Sequence, residues 1–256
     1  MYACQTCGSI AGLRQNSILI QVRDTPLHRQ SAGENVLNRV RVWDLPTRVF
    51  HWGLVFCFVG LVTTGAVGGQ AMVWHFRFGY CVLSLLLFRL VWGFVGGTWS
   101  RFSVFITGPA TVLRYARGEG TAQQSVGHNP LGALSVLALL GFAVLQVAAG
   151  LFSDDEIAAA GPLAKMVANS WVSLATYYHT KIGKIILIVL VQLHIAAIIF
   201  YRIRRNENLL LPMLNGDKEL AQPFESARDD SESRTKALVL FGVCAVCVTG
   251  LVQWAR

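Results

Sequence analysis

Five stretches of this chain run for about a membrane's thickness with hardly a polar position, and glycine-rich or charged segments separate them. They cover Pro46 to Val67, Met72 to Gly96, Pro130 to Phe152, Tyr178 to Tyr201 and Ala237 to Trp254. A helix crosses the hydrocarbon core with roughly 20 apolar residues. In lipid only helices or closed barrels satisfy every backbone polar group, and runs of this length are too long for barrel strands. Several ends carry their own punctuation. Asp44-Leu45-Pro46 and Asn129-Pro130 each give a capping side chain followed by a first-turn proline. Gly65-Ala66-Val67-Gly68-Gly69 closes the first run into a very short loop, and Pro109 to Gly118 reads as a short interfacial helix with Leu113 and Tyr115 inward and Arg114 and Arg117 among headgroups. The pattern predicts an all-α membrane protein: a four-helix transmembrane bundle with a fifth, accessory C-terminal transmembrane helix.

Composition agrees. Hydrophobic residues make up 54% and charged residues 14% of 256, with a mean hydropathy of +0.49, against roughly 25% charged in a soluble domain. The net charge of +8 does not mark a nucleic-acid binder, because the basic residues collect in particular loops. Sixteen of the 22 lysines and arginines fall in the N-terminal region up to Arg48, in the connection after the second run, and in Arg202 to Lys236. By the positive-inside rule these segments share the cytoplasmic side, which sets the N-terminus inside and the C-terminus outside. Residues 1–41 read as a flexible tail without a secretory signal, 42–205 as the four-helix domain, 206–236 as a cytoplasmic loop and 237–256 as the accessory helix. Cys57, Cys81, Cys244 and Cys247 lie inside apolar runs, and only Cys4 and Cys7 form a CxxC pair. No second pair completes a zinc site, and Gly8 stands where covalent haem attachment needs a histidine, so this pair reads as inert.

The chemistry lies in the histidines. His51 sits five residues past Pro46, about 7.5 Å into the first helix, and His194 eight residues before Arg202, about 12 Å from the same face. His75 and His179 open the second and fourth helices from the other face. Four intramembrane histidines thus fall into two pairs by depth, His51 with His194 and His75 with His179. His179 and His194 are 15 residues apart, which is about 22 Å of rise and about 60° of rotation. That spacing would stack two flat macrocycles, each with an iron between two imidazoles. Gly79 and Gly183 follow His75 and His179 by one turn, where the missing Cβ lets a macrocycle lie close. A single buried histidine is as often a packing residue, but polar groups in lipid are costly and two matched pairs point to ligation. His28 lies in the polar tail. His128 and Asn129, at the cytoplasmic lip, are candidates for contacting a quinone or an inner haem. Arg89, 14 residues after His75 and within about 40° of its face, needs an anionic partner where the spans hold no Asp or Glu. A haem propionate would serve. Arg77, Lys181 and Lys184 could pair with outer propionates or with lipid phosphate.

The run Val42-Trp43-Asp44-Leu45-Pro46-Thr47-Arg48-Val49-Phe50-His51-Trp52 resembles the opening of bacterial cytochrome b561-type proteins, a group that includes the b-type cytochrome subunit of nickel–iron hydrogenases. The resemblance continues through His75-Phe76-Arg77-Phe78-Gly79, Phe88-Arg89-Leu90-Val91-Trp92-Gly93 and Gly127-His128-Asn129-Pro130-Leu131-Gly132, and it ends with His179 and His194. It implies two haems b in the bacterial inner membrane, with His51, His75, His179 and His194 as iron ligands.

The expected function is transmembrane electron transfer between the quinone pool and a periplasmic redox partner such as a c-type cytochrome or a dehydrogenase. A homodimer is compatible with this reading. Within the family, quinone-linked oxidation of superoxide and anchoring of a hydrogenase are alternatives. From other classes, a histidine-lined metal-ion transporter would be expected to add carboxylates in the spans, and a purely structural anchor would not need paired histidines.

Overall fold

A computed structural model describes residues 37–157 and 159–255. Cys4, Cys7 and His28 lie outside the described residues. Five helical segments within them are long and apolar enough to cross a membrane. Helix α1 (Leu45–Val67) starts where the Asp44 carboxylate accepts the Thr47 amide at 2.8 Å. It ends at Gly68, and Gly68 and Gly69 both take positive φ (68° and 53°) to reverse the chain. Helix α2 (Met72–Val95) runs back. Two short helices, α3 (Phe102–Phe105) and α4 (Pro109–Ala116), lead to α5 (Pro130–Phe152), capped by Asn129.

The fourth crossing is longer than its apolar run. Helix α6 (Asn169–Tyr177) passes through a π-helical turn, Tyr178–Gly183, into α7 (Lys184–Arg204). His179 therefore lies within this crossing and does not open it. The first turns, Asn169-Ser170-Trp171 with Ser173 and Thr176, are too polar for hydropathy to count them. The fifth crossing, α9 (Ser231–Trp254), likewise begins before Ala237. Its polar first turns are held by Asp230, which caps the Ser233 amide at 2.8 Å, and by the Glu232 pairs with Arg228 and Lys236.

Helix α2 is central. Helix α1 packs on one side of it and α9 on another, while α5 packs on α7. The intramembrane core joins Phe50 and Cys57 of α1, Val82, Leu85, Leu86, Phe88 and Trp92 of α2, and Ala237 and Cys244 of α9. The fifth helix is thus part of the packed bundle.

The segments expected to be cytoplasmic tail and loop build a cap at one end. Strand β1 (Asn38–Arg41) pairs antiparallel with β2 (Asp217–Leu220), which follows the short helix α8 (Leu210–Asn215). Val40, Val42, Trp43, Trp99, Val126 and Ala227 form a second core beneath it. Residues 38–41 are therefore strand, not flexible tail. Asp44 ties the cap to the bundle: fully buried, it accepts from Thr47, from the Gly97 amide at 3.0 Å, and from the Trp92 indole and Ser100 hydroxyl at 3.3 Å.

Candidate functional site

His75 and His179 face each other, with ring centroids 6.1 Å apart and planes at 87°. With a metal–nitrogen bond of roughly 2 Å and a ring nitrogen about 1 Å from its centroid, one iron held between two imidazoles sets the centroids about 6 Å apart. The far side of each ring is fixed by its own backbone contact. His75 Nδ1 lies 3.1 Å from the Leu61 carbonyl of α1, and His179 Nδ1 lies 2.9 Å from the Gln146 carbonyl of α5. A carbonyl only accepts, so each Nδ1 carries the proton and each Nε2 keeps its lone pair. This is the state a metal-ligating histidine adopts.

Two glycines make these positions possible. A Cβ at Gly65 would stand 3.2 Å from the His75 ring, and one at Gly150 would stand 2.8 Å from His179. Sequence reasoning singled out Gly79 and Gly183 instead. An added Cβ at Gly79 meets nothing within 4 Å. Gly183 departs from expectation: it is closed in by the Gln146 side chain and the Tyr178 ring, because the π-turn directs it toward α5. Gly65 and Gly150 carry no sequence signal of their own, since what matters is their distance to a ring on another helix.

At the other end His51 and His194 lie within electrostatic reach of each other, and His128 within reach of both and of Arg89. His128 is clamped between the rings of Trp43 and Phe105, with centroids at 4.5 and 4.8 Å. Buried there without a hydrogen-bond partner are His51 Nδ1, His128 Nδ1 and one terminal nitrogen of Arg89. The Arg89 guanidinium stacks on Phe102 at 5.0 Å, and Asp44 is the carboxylate in electrostatic reach. Asp44 spends its oxygens on Thr47, Trp92, Gly97 and Ser100, so the orphaned Arg89 nitrogen still faces a place for an acceptor.

Two further candidates make contacts of their own. Asn129 caps α5 by accepting the Gly132 amide at 2.7 Å. Arg77 stacks on Trp74 at 4.7 Å and lines a cavity with α9. Two residues from His75, it is turned about 200° around the helix from that histidine.

These residues suit haem b. Two imidazoles with free nitrogens stand one iron apart, an uncrowded glycine sits one turn away, and buried donors without partners lie where carboxylates would be accepted. Among the described residues no group of three or more His, Cys, Asp or Glu is gathered as for a bare ion.

The family model described as prokaryotic cytochrome b561 matches residues 42–216. A probable Ni/Fe-hydrogenase B-type cytochrome subunit of Bradyrhizobium diazoefficiens is 25% identical over 230 residues, covering 74% of this chain and 90% of the relative. The corresponding protein of Rhizobium leguminosarum bv. viciae is 26% identical over 224 residues, covering 73% and 92%. A probable Ni/Fe-hydrogenase 1 B-type cytochrome subunit of Escherichia coli is 26% identical over 159 residues, covering 50% and 66%. No solved structure matches the chain.

Proposed function

The chain belongs to the prokaryotic cytochrome b561 family, and from that premise we propose that it moves electrons across the bacterial inner membrane, between the quinone pool and a redox enzyme at the outer face, using two haems b. The observation that carries the reading is the facing pair His75 and His179, each with Nδ1 committed to a backbone carbonyl and Nε2 free. His51 and His194 are the second pair, near the cap. Haem b bound between such pairs supplies reversible one-electron chemistry at an iron with no open coordination position.

The residues do the rest. The Leu61 and Gln146 carbonyls lock the outer imidazoles in tautomer and direction. Gly65 and Gly150 let those rings sit against α1 and α5. Arg89 and His128 offer buried donors to the inner haem's carboxylates. The aromatic and aliphatic side chains of the bundle exclude water from the span.

Pairing of β1 with β2 gathers the basic N-terminal segment and the segment after α7 at one end, which supports the assignment of that end to the cytoplasm. Three relatives carry the name of Ni/Fe-hydrogenase subunits, and this favours a hydrogenase-type enzyme over a soluble c-type cytochrome as the outer partner. The test is reconstitution in vesicles with an impermeant oxidant trapped inside and quinol supplied outside. Two extractable haems per chain and oxidant reduction dependent on His75 and His51 are expected. Oxidation confined to one haem, with no electrons reaching the trapped oxidant, overturns the transmembrane reading.

A further inference from the structure

We propose that the groove between α2 and α9 binds one anionic phospholipid, held at its headgroup by Arg77. The two helices run antiparallel and leave a cavity of about 330 Å³ between Arg77, Cys81 and Ser84 on α2 and Ala245, Thr249 and Gln253 on α9. Arg77 and Gln253 lie toward the end where α2 begins and α9 finishes. Ser84 and Ala245 lie about 10 Å deeper along the helix axis. The groove therefore has a cationic mouth and extends along the helices into the hydrocarbon layer.

The chemistry of the lining selects the occupant. No Asp or Glu lines the cavity, and among the described residues no ion pair joins Arg77 to a carboxylate. A guanidinium at the membrane boundary gains most from a phosphate, which it meets as a charge-assisted donor. Deeper down, the Ser84 hydroxyl donates to the Tyr80 carbonyl at 2.9 Å and the Thr249 hydroxyl to the Ala245 carbonyl at 2.8 Å. Their donors are spent on their own helices, so the body of the groove suits an acyl chain better than a polar solute. A charged head above an apolar tail is a lipid. Free phosphate would use only the mouth. The site is separate from the histidine pairs, because Arg77 is turned about 200° around α2 from His75, and α9 lies beyond the region the family model matches. The inference does not rest on the proposed electron route.

Native mass spectrometry of the full chain, released from detergent micelles after titration with phosphatidylglycerol or phosphatidylethanolamine, tests it. One saturable phosphatidylglycerol adduct is expected, with phosphatidylethanolamine weaker because its ammonium offsets the phosphate charge. Arg77→Gln should weaken phosphatidylglycerol roughly tenfold, the scale of one charge-assisted contact, and Arg77→Lys should restore most of it. Ala245→Phe fills the groove without changing charge and should remove the adduct. Circular dichroism and haem content unchanged from the parent identify variants that have folded. Equal binding of the two lipids, displacement of lipid by millimolar inorganic phosphate, a quinone occupying the groove in place of lipid, or a phosphatidylglycerol adduct surviving Ala245→Phe overturns the proposal.

Discussion

At Gly150 the backbone of α5 comes so close to the His179 ring that a Cβ would lie 2.8 Å from it. Real Cβ atoms do not approach that closely, so any side chain there must push the imidazole off its contact with the Gln146 carbonyl. Gly150→Leu is expected to remove one of two haems per chain while leaving the other, read as a halved pyridine haemochrome yield with one spectral component gone. Arg89 is buried too, with an unpartnered nitrogen, and its charge is in electrostatic reach of His128, which in turn reaches His51 and His194. Positive charge favours the reduced, less positive iron. Arg89→Leu should therefore lower the midpoint potential of one haem and leave the second nearly unchanged in a redox titration. An unshifted potential with full haem content would disprove the role. Both positions show how far single residues can be read from sequence. Arg89 stood out because a cation in an apolar run needs an explanation. Gly150 did not, since its importance is a distance to a side chain 29 positions away.

The element that matters most is the π-turn at Tyr178–Gly183. It inserts about one extra residue into the helix between His179 and His194, which subtracts about 100° from their relative rotation. The regular-helix offset of about 60° becomes about 40° in the opposite sense, so the two histidines still share a broad face. Deleting Ile182 should let the turn relax to α-helix with that offset kept, and both haems should be retained. Inserting one alanine after Leu187 instead adds about 100° and should turn His179 off the face it shares with His194, with loss of one haem. Equal haem content in the deletion and the insertion would show that the rotation set by the turn has no part in placing His179. A π-turn leaves little mark in hydropathy, and the sequence pattern could only extend a regular helix through it. The start of α9 was hidden differently: its polar first turns are stabilised by a cap and i,i+4 ion pairs instead of by burial.

On the scale of the molecule, one end is closed by a cap that charge holds in place. Asp217 accepts from Arg39 and Arg41, and Asp229 pairs with Arg41 and Arg234. The Arg41 hydrogen bond, with help from Arg39, holds the Asp217 carboxyl below its usual range despite some burial. Burial pushes Asp229 up, but bonds from Arg234, the Leu45 amide and Arg41 outweigh it and bring it down. Depressed folded values mean that this stabilisation is complete above the carboxylates' unfolded pKa and is lost as pH falls through the folded values. Amide exchange across Asn38–Arg41, corrected for intrinsic rate, should accordingly be slow at pH 7 and fast near pH 3. Replacing Asp217 with Asn should produce the fast exchange at pH 7 already. Protection that does not change with pH would assign the cap to its apolar core alone.

The sequence by itself determined the class of the molecule, the number of its crossings and which four histidines fall inside the apolar runs. Twenty-residue apolar runs have one structural outcome in lipid, and ionisable or polar side chains inside them stand out because lipid penalises them. The depths of His51 and His194 followed from the fixed rise of a helix, whereas that of His179 did not, because its crossing begins at Asn169. What only the tertiary structure decided is everything that depends on helix rotation and on contacts between distant segments. It turned Arg77 toward α9, closed Gly183 against α5, set Gly65 and Gly150 against imidazoles, and made a strand of residues expected to be tail. Hydropathy records how apolar a segment is but not which neighbour each of its faces will meet. In this chain those neighbours are supplied by α9, the π-turn and the cap: an apolar count finds α9 but not the helix it packs on, and it finds neither of the others.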